Sequence, residues 1–186
     1  LGYSRCMAGA RDSHDPIGRF AELFEQAKRD EPFDATAIAL ATATPSGRPS
    51  VRVVLLKRVD ERGFSFFTNY GSRKARELDA NPHAAFTCYW PASQHQTRVE
   101  GRVERLPAEE SDAYFATRPR GSQLAALASR QSEPLTSHAV LMKRYLQLQW
   151  EHGEDEIGRP DFWGGYLLIP ERIEFWRNGQ YRLHKR

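Results

Sequence analysis

The sequence contains little sulfur, with two cysteines and two methionines among its 186 residues. Cys6 and Cys88 are too far apart to form a CxxC motif, so a dithiol redox centre of that kind and a cysteine-bound zinc site are excluded. Two free thiols are typical of a protein that stays in a reducing compartment. We therefore expect a cytoplasmic protein without disulfides.

Motifs for metal binding and serine hydrolysis are missing as well. The six histidines form no HxxxH or HExxH arrangement, and the chain has no GxSxG elbow. No apolar stretch approaches the roughly 20 residues that span a membrane. The first residues also lack the charged-then-apolar pattern of a signal peptide. We expect no metal site and no membrane association.

The charge balance is only weakly basic, with 27 lysines and arginines against 24 acidic residues. An excess of +3 does not by itself imply a nucleic-acid partner, and anionic small molecules fit it equally well. Hydrophobic residues make up 40% of the chain, which is enough for a globular core. We expect a mobile polar arm at residues 1–14 and one domain at residues 15–186.

Periodicity predicts a mixed α+β fold. Asp15 and Pro16 are typical of a helix start, and apolar spacing continues that helix over residues 15–29. Short β-branched and aromatic segments separated by turn residues then favour an antiparallel barrel or sandwich. The predicted strands are 36–43, 50–58, 64–69, 84–90, 96–105, 164–169, 171–177 and, after an Asn178-Gly179 hairpin, 180–186. The predicted helices are 72–80, 107–118, 121–130 and one that starts at 137.

Two basic segments could bind an anion. Arg73 and Lys74 follow Ser72 at a predicted helix start, where free N–H groups attract phosphate. The alternative is a solvated basic helix start, which would be unfavourable for the helix dipole. Arg52 and Lys57 lie on one strand at an odd separation, so alternation predicts opposite faces. They could serve one ligand through a bulge or bind different parts of it, and two exposed edge cations are the alternative.

Two further clusters carry polar chemistry. Tyr114 and Arg118 share one helix face, and Ser122 follows the break at Pro119, which suggests a phosphate or carboxylate clamp. An ordinary capped helix end is the alternative. The predicted last strand would project three basic side chains from one face, near Trp176, which could stack on a flat ligand. These side chains are Arg182, His184 and Arg186; an exposed basic terminus is the alternative.

In order along the chain, these segments resemble the pyridoxine/pyridoxamine 5′-phosphate oxidase family. The stretches that carry the resemblance are RVVLLK (52–57), FFTNYGSRKARELDANP (66–82), QTRVEGRVERL (96–106), YFATRPRGSQLAALASRQS (114–132), FWGGY (162–166) and IEFWRNGQYRLHKR (173–186). The resemblance implies an antiparallel Greek-key split barrel with surrounding helices. It also implies a homodimer with FMN held between the subunits.

The resemblance further implies a role for each basic segment. FMN would be bound by Arg52, Lys57, Phe67, Thr68, Arg73, Lys74, Gln96, Gln131, Ser132, Trp176 and Arg186, partly from the second subunit. The substrate would meet Lys57, Tyr114, Arg118, Ser122, Arg182 and His184, and the last two are the candidate catalytic residues. The implied reaction oxidises pyridoxamine or pyridoxine 5′-phosphate to pyridoxal 5′-phosphate and reduces O2 to H2O2.

The resemblance leaves two alternatives and two departures. A related flavin oxidase of the phenazine-biosynthesis type, or a non-catalytic flavin-binding module, would share this fold. Lys185 stands where the family usually has an acidic residue. The family pattern also continues through a further strand beyond Arg186, which leads us to expect an exposed barrel edge here.

Overall fold

The computed structural model describes residues 15–186, so the arm predicted at residues 1–14 lies outside the described part. Helix α1 spans Pro16–Asp30 and begins as expected. The Oδ1 atom of Asp15 accepts a 2.8 Å hydrogen bond from the backbone N–H of Gly18. Pro16 occupies the first helical position, where no backbone donor is needed.

The strands of the described residues form a closed antiparallel barrel. They are β1 (Ala37–Ala43), β2 (Pro49–Asp60), β3 (Gly63–Asn69), β4 (His83–Trp90), β5 (His95–Arg105) and β6 (Trp163–Arg177). Their order around the barrel is β1-β2-β3-β6-β5-β4. Strands β3 and β4 follow each other in the chain but are not neighbours, which is a Greek-key connection. The barrel class predicted from the sequence is confirmed.

Four more α-helices of the described residues surround the barrel. They are α2 (Arg73–Ala80), α3 (Ala108–Ala116), α4 (Arg120–Ala128) and α5 (His138–His152). Pro107 and Pro119 directly precede α3 and α4, because their fixed φ suits a helix start. Within residues 15–186, none of the helices has the length and apolar character required to cross a bilayer.

Aromatic side chains of α1 complete the barrel core. The Phe20 ring is fully buried and meets Phe64 edge-on at 4.8 Å between ring centroids. Phe24 stacks on Trp90 at 6.1 Å. Edge and offset contacts of this kind add to the burial of apolar area that stabilises the barrel. Cys88 is a buried free thiol in the same core, and burial raises its pKa to about 12.

The two strands predicted at 164–169 and 171–177 are one continuous strand, β6. Pro170 lies at an irregularity in the pairing with β5, opposite Gly101. A proline is tolerated at such a bulge because no ladder hydrogen bond is required there. The expected exposed edge is also not found among the described residues, because the six strands close on one another.

The prediction of a strand at residues 180–186 is wrong. Residues Gln180–Arg182 form a short 3-10 turn, and only the Arg177–Lys185 bridge continues the ladder. The backbone N–H of Asn178 donates to the carbonyl of Gln94, so Asn178 is held by the loop before β5. Tyr181 instead takes a left-handed conformation, with φ of 54°. The alternation of side chains along a strand does not apply to such a turn. The expectation that Arg182, His184 and Arg186 project from one strand face therefore no longer holds.

Candidate active site

A cleft of about 1230 Å³ opens beside β2 and β3 and is bordered by α2, α3, α4 and α5. Its walls come from distant parts of the chain, including the segment that follows α4. Most of the site residues predicted from the sequence line it. These are Arg52, Lys57, Phe67, Thr68, Arg73, Lys74, Tyr114, Arg118, Ser122, Gln131 and Ser132.

Lys74 is a buried cation without an ion-pair partner among residues 15–186. Only 7% of this residue is exposed. Its Nζ atom donates to Oγ1 of Thr68 at 2.9 Å, to Oε1 of Gln131 at 2.9 Å and to Oγ of Ser72 at 3.2 Å. Burial, together with the nearby charge of Arg52, lowers its pKa to about 8. These neutral oxygens solvate the ammonium group but leave its charge available to an anion.

The start of α2 adds donors next to Lys74. Ser72 caps the helix through its side chain, and the backbone N–H of Arg73 donates to Oγ of Ser132 at 3.1 Å. The Lys74 contact with Gln131 ties the same helix to the segment after α4. Helix start, lysine and arginine therefore meet at one end of the cleft, as the sequence predicted.

Glu77 organises the arginines at this end. Its carboxylate accepts hydrogen bonds from Thr42 and Ser50, and from Nε of Arg73 at 2.8 Å. Arg52 lies 3.5 Å from the same carboxylate. Burial opposes ionisation of Glu77, but the hydrogen bonds from Ser50, Thr42 and Arg73 outweigh it and lower its pKa to about 2. Glu77 is thus a fixed negative charge that holds two arginines.

The other end of the cleft contains Tyr114 and Arg118. The Arg118 guanidinium lies 4.6 Å from the centroid of the Trp163 ring, and its Nη1 atom is buried without a hydrogen-bond partner. No carboxylate of residues 15–186 forms an ion pair with it. Burial lowers the pKa of Arg118 and raises that of Tyr114. Ser122, in the first turn of α4, lines the cleft beside them.

Arg52 and Lys57 line the same cleft although their separation is odd. The pairing of β2 with β3 shifts between Leu56 and Arg58, which makes Lys57 the extra residue of a β-bulge. A bulge interrupts strict alternation and changes the direction of the side chain. The structure thus has the bulge, and both faces of β2 between Ser50 and Leu55 also line the cleft.

The remaining predicted site residues do not line the cleft of their own chain. Gln96 pairs with Trp176 across β5 and β6, and the His184 ring lies 4.6 Å from that of Trp176. Arg186 forms a 2.7 Å ion pair with Glu174. Arg182 is exposed in the 3-10 turn. These residues form a second group at the end of β6.

Two residues of the site were missed by sequence reasoning. Glu77 could have been found, because it follows Arg73 by one helical turn, at a spacing that favours an ion pair. Trp163 gave no such signal, since its role depends on which rings it meets in the fold. Among residues 15–186, no group of three acidic, histidine or cysteine side chains is arranged to hold a metal.

Comparison with known proteins identifies a family for this chain. Residues 24–150 match the profile of a family described as pyridoxamine 5′-phosphate oxidase. Residues 163–186 match one described as a pyridoxine 5′-phosphate oxidase C-terminal dimerisation region. The chain is 56% identical to the pyridoxine/pyridoxamine 5′-phosphate oxidases of Rubrobacter xylanophilus and Anaeromyxobacter dehalogenans. Each alignment covers 92% of this chain, and 79% and 87% of those proteins, respectively.

Solved structures also share the fold. PhzG from Burkholderia lata 383, in complex with tetrahydrophenazine-1-carboxylic acid, superposes with a TM-score of 0.87 and 32% identity. The alignment covers 91% of this chain and 83% of PhzG. A pyridoxamine 5′-phosphate oxidase-related, FMN-binding protein from Nostoc punctiforme has a TM-score of 0.69, and at 16% identity this likeness concerns the fold alone. It covers 94% of this chain and 97% of that protein.

Proposed function

Because this chain belongs to the pyridoxine/pyridoxamine 5′-phosphate oxidase family, we propose that it oxidises pyridoxamine and pyridoxine 5′-phosphates to pyridoxal 5′-phosphate. FMN is the cofactor, and O2 accepts the two electrons to give H2O2. With the amine substrate, oxidation and uptake of one water release ammonia. The observation that carries this proposal is the presence of unneutralised cations at both ends of one cleft, since the reaction needs two phosphorylated molecules there.

FMN fits the end of the cleft at α2. A buried Lys74 without a carboxylate partner is costly unless an anion binds beside it. The backbone N–H of Arg73 donates to Oγ of Ser132, so the start of α2 and this hydroxyl lie side by side, and a phosphate bound there would take over that N–H. We assign the flavin phosphate to this end, with Arg52 held in place by Glu77. Bound there, FMN would supply the redox chemistry, as the acceptor of the two electrons that leave the substrate.

The substrate phosphate is assigned to the clamp of Lys57, Tyr114, Arg118 and Ser122. Arg118 carries a full positive charge and a buried N–H group without a partner in the described residues. A phosphate oxygen would satisfy that donor and offset the cost of burying the charge. The clamp therefore binds the vitamer through its phosphate group, whereas Arg182 and His184 are assigned to the ring whose carbon reacts.

The second group of residues is assigned to the partner subunit's contribution to each site. The C-terminal segment of this chain matches a dimerisation region, and the chain forms a homodimer. Val51 and Val53 on β2 are 69% and 68% exposed next to the cleft, and such an apolar strip is typical of an interface. In this arrangement, Arg182 and His184 of one subunit hold the substrate ring in the cleft of the other, while Gln96, Trp176 and Arg186 contact the flavin.

An absorbance spectrum tests the proposed function. Protein loaded with FMN should lose its flavin absorbance on anaerobic addition of pyridoxamine 5′-phosphate, and air should restore it with release of pyridoxal 5′-phosphate. Flavin absorbance that the substrate leaves unchanged would contradict the oxidase. An oxidase of the phenazine-biosynthesis type is less well supported, because identity to PhzG is 32% against 56% for the B6 oxidases. Bleaching by tetrahydrophenazine-1-carboxylic acid, and not by the vitamer, would reverse that preference.

A further inference from the structure

Trp163 lies at the centre of an aromatic wall in the cleft. Its ring is nearly parallel to those of Phe67, at 5.5 Å and 13°, and Tyr114, at 6.2 Å and 7°. Phe67 and Tyr114 stack directly, with centroids 3.9 Å apart. Only 7% of Trp163 is exposed. The three rings form one packed unit, so the position of the Tyr114 phenol depends on the rings behind it.

The backbone of Trp163 is fixed from two sides. Trp163 is the first residue of β6 and pairs with Asn69 at the end of β3. The Nη1 atom of Arg159 donates to its carbonyl at 2.6 Å, and Nε of the same arginine donates to Asp112 of α3 at 2.6 Å. Arg159 therefore ties the tryptophan to α3, the helix that carries Tyr114.

Trp163 also holds Arg118, through its π face. The guanidinium carbon is 4.6 Å from the Trp163 centroid and 5.5 Å from that of Phe115. A cation–π contact orients an arginine without neutralising it or occupying its N–H donors. A carboxylate would hold the side chain too, but it would compete with a phosphate for both the charge and the donors.

We propose that Trp163 is a positioning residue that sets the affinity for the phosphate group of the substrate by orienting Tyr114 and Arg118. This inference rests on the proposed function. Trp163 need not contact the phosphate, because it acts through the two clamp residues that it packs against. Its loss should therefore weaken binding of phosphorylated vitamers and leave the chemical step nearly unchanged.

The test compares Trp163→Leu and Trp163→Phe with the unaltered, FMN-loaded protein. For Trp163→Leu, we expect the KM for pyridoxamine 5′-phosphate to rise about 3- to 30-fold, the factor given by the usual range of a cation–π contact. The Kd of pyridoxal 5′-phosphate, measured by calorimetry, should rise by the same factor, and kcat should change little. Trp163→Phe should recover most of the loss. Trp150→Leu is the matched control, because that tryptophan is 89% exposed and lies on α5.

A double-mutant cycle separates positioning from general packing. If Trp163 acts through the clamp, Trp163→Leu should add little to the loss of pyridoxal 5′-phosphate affinity that Arg118→Ala causes. The inference would be overturned if Trp163→Leu lowered the affinity for pyridoxal 5′-phosphate by the same factor in the unaltered protein and in Arg118→Ala. An unchanged Kd of pyridoxal 5′-phosphate in Trp163→Leu would also overturn it. An equal fall in FMN affinity would also overturn it. If the unaltered protein neither oxidises nor binds the phosphorylated vitamers, the proposed function and this inference both fail.

Discussion

The Nζ atom of Lys74 donates a 2.9 Å hydrogen bond to Oε1 of Gln131, which joins the start of α2 to the segment after α4. The bond brings together residues that are 57 positions apart in the chain. Within residues 15–186, the buried ammonium group of Lys74 is solvated only by neutral oxygens, those of Thr68, Ser72 and Gln131. The effect of replacing Lys74 on ligand affinity therefore tests whether this cleft binds an anion.

Replacing this lysine should separate stability from cofactor binding. In Lys74→Met, the apoprotein should not be destabilised, because a buried charge without a counter-ion is removed. The Kd of FMN should rise about 10- to 100-fold, the usual value of a hydrogen bond to a charged group. Thermal unfolding with and without FMN measures both quantities. Lys143→Met, at an exposed position of α5, is the control and should change neither. An undiminished FMN affinity in Lys74→Met would contradict the assignment of the flavin phosphate.

The affinity for FMN should also depend on pH. Burial lowers the pKa of Lys74 from 10.5 to about 8, so the folded apoprotein holds fewer protons than the unfolded chain between these values. This group's contribution to apoprotein stability therefore rises with pH across that window. FMN binds best to the protonated amine, so its affinity should fall as the pH rises above about 8. Fluorescence titrations from pH 7 to 10 check this, and the Lys74→Met variant should lack the dependence.

Glu77 should stabilise the arginine end of the cleft in the absence of any ligand. Glu77→Gln should lower the free energy of unfolding of the apoprotein by about 1–3 kcal/mol, since a buried acceptor of several hydrogen bonds is replaced. The pKa of Glu77 is depressed from 4.5 to about 2, so its contribution is complete above pH 4.5 and is lost as the pH falls toward 2.

Urea unfolding over a pH series measures this contribution. The difference between Glu77→Gln and the unaltered apoprotein should shrink as the pH drops below 4.5. Glu25→Gln is the control, because Glu25 forms an exposed ion pair with Lys28 on α1. A constant difference at every pH would show that the charge of Glu77 is not what stabilises this end.

The proposed composite site predicts complementation between two damaged subunits. Arg118→Ala and His184→Ala should each reduce turnover at low substrate concentration. Heterodimers of the two, purified through different tags, should regain about half of the unaltered activity, because one of their two sites is then intact. Heterodimers of Arg118→Ala with Tyr114→Phe are the control and should regain nothing, since each subunit then carries one lesion in its own clamp and neither site is intact. No recovery in the first pair would contradict the contribution of the partner subunit.

Most of the helices and strands could be predicted from the sequence, because local chemistry decides their boundaries. Asp15 and Pro16 specify the start of α1 through capping, and Pro119 specifies the break between α3 and α4. An anion site at Lys74 could be predicted in the same way, since a cation in the first turn of a helix is unfavourable for the helix dipole unless an anion binds nearby. These signals act over a few residues and need no knowledge of the rest of the fold.

Other features depended on contacts between distant segments. The bulge at Lys57 follows from how β2 pairs with β3, and alternation along one strand cannot reveal it. The C-terminal segment shows the same limit. Asn178 bonds to the loop before β5, and the chain turns back through a loop that is wider than the expected two-residue hairpin and is closed by the Arg177–Lys185 bridge.

By itself, then, the sequence determined most of the elements and the cations that an anionic ligand requires. Only the tertiary structure decided that Trp163 packs against Arg118 and that Glu77 lies beside Arg52. The physical reason is that capping, turn chemistry and periodicity are local, whereas a cleft is formed by side chains whose neighbours are chosen by packing.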